Sequence, residues 1–376
     1  MCGLCLPHCP TYKLTLDENE SPRGRISLAR ALLLDQLESS EKTSEHIAHC
    51  LVCRACEKMC PSGVRYGKII NGLRAYDCDN VKSQPSPLTK KQYTQKLNHK
   101  IWWYQQSGVQ KLVRSLGLLG RGQLARKESL LPKIAREQAW AEHYPATTSK
   151  KGQLQLFTGC ISNSLDHKTL RDAVRVLNHL GYDVNVPLAQ ECCGAIDLHR
   201  GNKDAAEKFS EENRNAFEKS NDSVISMHSG CSASLVDYLQ NNILDVCDFL
   251  IQENITPTFK PLQKRIVVHT PCSKKNVMRN GENVMRVLST IPGATVVELP
   301  ATLTCCGAAG QHMLDFPAQA DAIREPSIEA IMSAEADILV TSNIGCSMHL
   351  QAGLRKTGMK IEVLHPINLI AGLLTD

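Results

Sequence analysis

The stretch "CLVCRACEKMCPSG" limits what this chain can become more than any other feature. It gives Cys50, Cys53, Cys56 and Cys60 at the spacing C-x2-C-x2-C-x3-C, followed by Pro61. Three thiolates on one tight loop cap three corners of a cubane, and the fourth, before proline, reaches across to a second cluster where two such runs occur. Two C-x2-C pairs would suit zinc, but this run with its terminal proline is a cubane signature. The N-terminal "MCGLCLPHCP" places Cys2, Cys5 and Cys9 at C-x2-C-x3-C-P, the same run without its first cysteine. By the crossing rule Cys2, Cys5 and Cys60 hold the first 4Fe–4S site, and Cys50, Cys53, Cys56 and Cys9 hold the second. The ligand lacking from the first set falls three positions before Cys2, upstream of Met1, so an N-terminus truncated upstream of Met1 is expected.

Seventeen cysteines stand in a chain with no signal peptide and no apolar run long enough to span a bilayer. That combination points to a reducing compartment, where thiolates bind metal instead of pairing. An apolar content of 42% and a charged content of 22% are those of a globular protein. The net charge of +5 is unevenly spread: thirteen Lys/Arg face three Glu between Lys82 and Lys150.

Residues 1–78 form the first unit. Between its cysteine groups, "SPRGRISLARALLLDQLES" carries Ile26, Leu28, Ala29, Leu32, Leu33 and Leu37 at helical spacing, which suggests an all-helical ferredoxin domain. Residues 79–150 read as a basic helical linker with apolar patches at "IWWYQQ" and "VQKLVRSLGLL". Its "GRGQLA" matches a dinucleotide fingerprint only by chance, because no strand precedes it. Nucleic-acid binding is not expected either: Trp102 and Trp103 stand as a pair with few other aromatics interleaved, and a charge run is most often a solvated helix face.

Beyond residue 150 the chain repeats itself. "LQLFTGC", "QECCGA" and "HSGCSAS" supply Cys160, Cys192, Cys193 and Cys231; "IVVHTPC", "LTCCGAAG" and "NIGCSMH" supply Cys272, Cys305, Cys306 and Cys346. The near-constant offset implies duplicated units, 151–260 and 261–376. Each opens on an apolar strand (154–157, 266–268), runs through a helical stretch and reaches a second strand (184–186, 295–299) before its double cysteine. Strand–helix–strand order favours a parallel sheet, so the fold class is mixed: an all-α unit followed by a duplicated α/β region. Cys78 and Cys247 lie outside every motif and are expected to pack structurally.

The repeat resembles the cysteine-rich CCG domain of heterodisulfide reductases and of subunits of flavin-linked dehydrogenases. In its fullest form the last element is C-x2-C, whereas here His228 and Asn343 stand at the first of those two positions. Four cysteines per copy remain as candidate cluster ligands, with His228 read as a core or surface residue in preference to a ligand. Taken whole, "CGLCLPHCPTY", "SPRGRISL", "CLVCRACEKMCPSGVRY", "ECCGAIDLH", "LTCCGAAG" and "SNIGCSMHL" make the chain similar to the iron–sulfur subunits of bacterial glycolate oxidase. The resemblance implies an electron-transfer subunit, not catalytic alone and with no flavin of its own. FAD-binding partner subunits would oxidise glycolate to glyoxylate, and electrons would leave toward quinone at the cytoplasmic side of the inner membrane, where the subunit would sit peripherally. Heterodisulfide-reductase-like subunits and those of anaerobic glycerol-3-phosphate or lactate dehydrogenases are the alternatives.

Overall fold

The computed structural model describes residues 2–81, 85–120, 122–303 and 305–375, the side chains of 78–81 excepted; Met1 and the side chain of Cys78 lie outside it. Helices Pro10–Thr15, Pro22–Leu33, Glu41–Ala48, Ala55–Lys58 and Tyr66–Val81 build the N-terminal region, with no strand among its described residues. Ser21 caps the second of these by accepting from the Gly24 amide, and Ser40 caps the third by accepting from Thr43. Ala29, Leu32, Ile47, Ile70 and Leu73 pack around Cys50 and Cys56. Leu33, the last residue of this helix, and Leu37, beyond its end, are exposed although they share the same periodicity.

The basic segment forms helices Lys91–Gln106, Val109–Leu116 and Gln123–Ser129. It does not stand apart: Ile101, Leu130 and Ile134 are buried in one core with Val267 and Leu339 of the second repeat. Asn98 Nδ2 donates to the carbonyls of Ala135 (3.1 Å) and Ser164 (2.5 Å), which ties the first helix to the first repeat.

Nine strands follow among the described residues: β1 (His143–Tyr144), β2 (Gly152–Phe157), β3 (Tyr182–Asn185), β4 (Val224–Ser226), β5 (Ile243–Leu244), β6 (Arg265–His269), β7 (Thr295–Glu298), β8 (Ile338–Thr341) and β9 (Glu362–Leu364). They make two sheets, ordered β1-β3-β2-β4-β5 and β7-β6-β8-β9. All pairings are parallel except that of β1 with β3. β1 lies within the stretch read from sequence as linker. In each sheet the chain leaves the first strand to one side and returns to the other, so β2 and β6 flank a topological switch point, where open α/β sheets place their sites. All eight cysteines of the repeat come after the C-terminal ends of such strands. The two sheets share a core: Leu156, Leu177 and Val184 of one copy cluster with Ile266, Val268 and Ile338 of the other.

Candidate metal centres

The N-terminal cysteine loop is wound the wrong way for its residues. Val52 (φ 48°) and Arg54 (φ 57°) occupy the left-handed region, which a β-branched side chain adopts only at a cost. Gly3 (φ 80°) takes the same conformation at the matching position of the other run. The result is a cavity lined by Cys9, Cys50, Cys53 and Cys56 and walled by Tyr66 and Arg25. Cys2, Cys5 and Cys60 lie outside that lining, and Cys2 is exposed.

Hydrogen bonds already aim at the sulfurs of this cavity. The Tyr66 hydroxyl donates to Cys50 Sγ (3.6 Å), as does the Val52 amide (3.5 Å), and Thr11 Oγ1 lies 3.3 Å from Cys9 Sγ. Burial pushes the Cys53 and Cys56 thiols up, and neighbouring sulfurs repel the thiolate further: Cys272 for Cys53, Cys50 for Cys56. Four cysteine sulfurs line this one cavity, and as thiolates they would be held together by a cationic metal centre, so the donor set fits an iron–sulfur cluster. Two buried cations reinforce the preference for negative charge. Arg25 is paired to Glu20, and Arg74 donates to the carbonyls of Ile47 (3.1 Å), Ala48 (2.9 Å) and Cys50 (2.5 Å).

Glu20 itself gathers His46 Nδ1 (2.7 Å) and His49 Nδ1 (2.9 Å) on one oxygen. The Arg25 guanidinium, 2.6 Å from the other oxygen, supplies the counter-charge a metal ion would bring. This group is a charge network that positions the Cys9 segment, since Arg25 and Thr11 both donate to the Glu20 carbonyl.

In the first repeat Cys160 Sγ and Cys192 Sγ lie 3.2 Å apart, and Cys193 bonds both Cys192 and Cys231. Those two thiol donors hold the Cys193 thiol well below its usual range, against the effect of burial. In the second repeat Cys306 Sγ donates to Cys346 Sγ (2.8 Å), and Cys272 bonds Cys305. Each repeat therefore gathers its four cysteines, three of them buried in each copy.

The N-terminal cavity abuts both repeats. Asn276 Nδ2 donates to the Cys53 carbonyl (2.8 Å), beside Cys272, and Arg74 Nη1 donates to the His199 carbonyl (2.8 Å), at the end of the helix that follows Cys193. His228 is buried with both ring nitrogens unbonded, 3.5 Å from Asp166 Oδ2, and burial pushes its pKa well down. Asn343 caps the helix Ile344–Lys356, its Oδ1 accepting from the Gly345 amide at 3.0 Å. Cys247 is buried in the shared core. Sequence reasoning missed Tyr66, Arg74 and His269. His269 ends β6 with its donor atom within 4.8 Å of those of Cys306 and Cys346. Its only sequence signal is that the first copy has Phe157 in its place.

A 4Fe-4S dicluster domain model matches residues 1–64, and the CCG cysteine-rich domain model matches 154–236 and 266–351. Over 384 residues the chain is 25% identical to a subunit of the fumarate reductase (CoM/CoB) of Methanothermobacter marburgensis, covering 98% of this chain and 70% of that one. Over 407 residues it is 28% identical to the probable glycolate oxidase iron-sulfur subunit of Bacillus subtilis, covering 98% and 92%. Identity to the glycolate oxidase iron-sulfur subunit of Escherichia coli is 31% over 387 residues, 96% of this chain and 92% of that one. With a 4Fe-4S domain model matched at the N-terminal end, a cysteine-rich domain model matched twice beyond it and this identity along nearly its whole length, the chain is an iron–sulfur electron-transfer protein that belongs to the glycolate oxidase iron–sulfur subunit family.

Proposed function

We propose that this chain conducts electrons between FAD-binding partner subunits, which oxidise glycolate to glyoxylate, and a quinone-type acceptor. The observation that carries the reading is the cavity lined by Cys9, Cys50, Cys53 and Cys56, which joins a cysteine of one run to three of the other. In this reading Cys2, Cys5 and Cys60 belong to the first 4Fe–4S site and the cavity is the second. Cys160, Cys192, Cys193 and Cys231, and Cys272, Cys305, Cys306 and Cys346, serve further centres in the two CCG units, 151–260 and 261–376. Residues 1–78 are then an all-helical ferredoxin domain and 79–150 the basic linker.

A cubane in the cavity supplies one-electron redox chemistry between a two-electron flavin donor and the acceptor. The chain's own residues do the rest. The Tyr66 hydroxyl and Val52 amide stabilise charge on Cys50, Arg25 and Arg74 favour the anionic ligand set, and packing by Ile47, Ile70 and Leu73 keeps water off it. Peripheral seating on the cytoplasmic face of the inner membrane is supported by the surface of the basic segment. Trp103, Leu112, Leu116 and Leu118 are exposed there beside Lys111, while Trp102 packs against the core and Arg114 pairs with Glu128. No described helix is long and apolar enough to cross a membrane.

The test is dye reduction with glycolate by the anaerobically purified chain, alone and with its flavin subunits, alongside iron and sulfide analysis. Activity is expected only in the presence of the flavin subunits. Dye reduction by the flavin-free chain, or a colourless zinc-loaded protein, overturns the reading.

A further inference from the structure

The two repeats are not equivalent at one position that faces their cysteines. β2 and β6 are the same strand in the two copies, and their last residues pair in parallel with matching partners: Phe157 with Ser226, His269 with Thr341. Phe157 packs at a tilt against Phe217 (ring centroids 6.0 Å apart) within the apolar cluster that holds Cys160, Cys192 and Cys193. His269, only 7% exposed, instead brings an imidazole to the thiols of Cys306 and Cys346, all three donor atoms lying within 4.8 Å of one another. Its Nδ1 is 2.9 Å from Thr341 Oγ1. In the tautomer that donates from Nδ1 to this hydroxyl, Nε2 carries the lone pair, which is the outer-shell arrangement that fixes metal-bound histidines. The segment after Cys272 differs as well, a π-helix at Ser273–Met278 where the first copy has the α-helix Ile161–Leu165; π-turns inside helices concentrate at functional sites.

We infer that His269 is a ligand of the iron–sulfur centre of the second repeat, so that this copy has a mixed imidazole–thiolate donor set and the first an all-thiolate one. The inference rests on the reading that the second repeat holds such a centre. A neutral imidazole adds no negative charge to the ligand set, and histidine ligation raises the reduction potential of an iron–sulfur centre relative to thiolate. The second copy, whose Cys272 segment touches the Cys53 loop, is then the more oxidising of the two and draws electrons out of the N-terminal domain.

The experiment is pulsed EPR of the full-length, iron-reconstituted chain during stepwise reduction, read for strongly coupled nitrogen. Imidazole coupling is expected in the wild type, absent in His269→Phe and retained in His228→Phe. If His269→Phe fails to fold, His269→Cys should keep its iron and lose the coupling. A wild-type spectrum without imidazole coupling, or one unchanged by His269→Phe or His269→Cys, overturns the inference. Iron content of a Cys305→Ala/Cys306→Ala variant separates the two ideas. Iron that does not fall removes the second-repeat centre and His269 with it, whereas iron that falls without nitrogen coupling removes His269 alone.

Discussion

Gly307 follows the second double cysteine at φ 78°, and a Cβ there would meet the Ala320 carbonyl oxygen at 2.4 Å. Gly194 has the same turn in the first copy (φ 79°), with the Ala206 carbonyl oxygen at 3.2 Å. The motif glycine was legible in the sequence, but its reason was not, because the obstacle is the backbone of the second helix after it. Gly307→Ala should cost about 2–4 kcal/mol and Gly194→Ala about 1–2, the difference being the closer carbonyl. Denaturant unfolding of both variants checks the order. Asp166 makes a second residue-scale case: burial pushes its carboxyl up to about 7, the Thr169 hydroxyl opposing. A carboxyl raised in the folded state contributes its full stability only below its unfolded pKa, near 4, and loses it as pH climbs through 7. Asp166→Asn should therefore gain on the wild type by on the order of 1 kcal/mol between pH 5.5 and 7.5, and no further above that. A stability gap that is flat with pH counts against this account. Nothing in "SLDHK" marked Asp166, since its burial is made by segments distant in sequence.

Among the elements, strands β2, β3, β6 and β7 were readable because each is a short apolar run bounded by turn residues, and their bounds moved by only a residue or two. The basic segment was harder. Its helices were visible, yet the burial of Ile101, Leu130 and Ile134 depends on a partner face formed by β6 and β8, which no local pattern reveals. What remains outward is the face of Val109–Leu116 with the turn after it, where Leu112 is 54%, Leu116 62% and Leu118 61% exposed. Apolar side chains on a basic surface helix favour the interface of an anionic bilayer. Replacing all three leucines by serine should lower recovery of the assembled complex in the membrane fraction several-fold while leaving iron content and glycolate-dependent dye reduction unchanged. Unaltered recovery means the patch has another role. The cysteine loop shows the opposite balance of local and distant information. Its cysteines were plain from spacing alone, but the left-handed turns at Val52 and Arg54 and the Tyr66 hydroxyl on Cys50 were not, since none of these residue types advertises such a role.

At the scale of the molecule, the two repeats share one core while each gathers its own cysteines. The C-terminal helix Pro366–Leu373 packs on His167–His179 of the first repeat, where Asn368 bonds Thr169 and Asp172 and Arg175 bonds the Ala371 carbonyl. Ser229 of the first copy touches Ser273 and Ser342 of the second. Deepest of these ties is Lys274, 1% exposed, whose ammonium is enclosed by Asp245 and by Asp248 at 2.9 Å. Burial alone would raise both carboxyls; the lysine holds Asp245 down, while burial and the neighbouring Asp245 carboxylate push Asp248 up to about 6. Removing the cation leaves two acids facing each other without water. Lys274→Met should thus cost about 3–5 kcal/mol, as breaking a buried pair generally does, whereas Lys274→Met combined with Asp245→Asn and Asp248→Asn should recover most of it. Because the network spans both repeats, the loss should appear in the unfolding of the whole α/β region as one transition. If the variant instead melts in two steps, with only one repeat destabilised, the copies fold as separate domains and the shared core contributes little to holding them together.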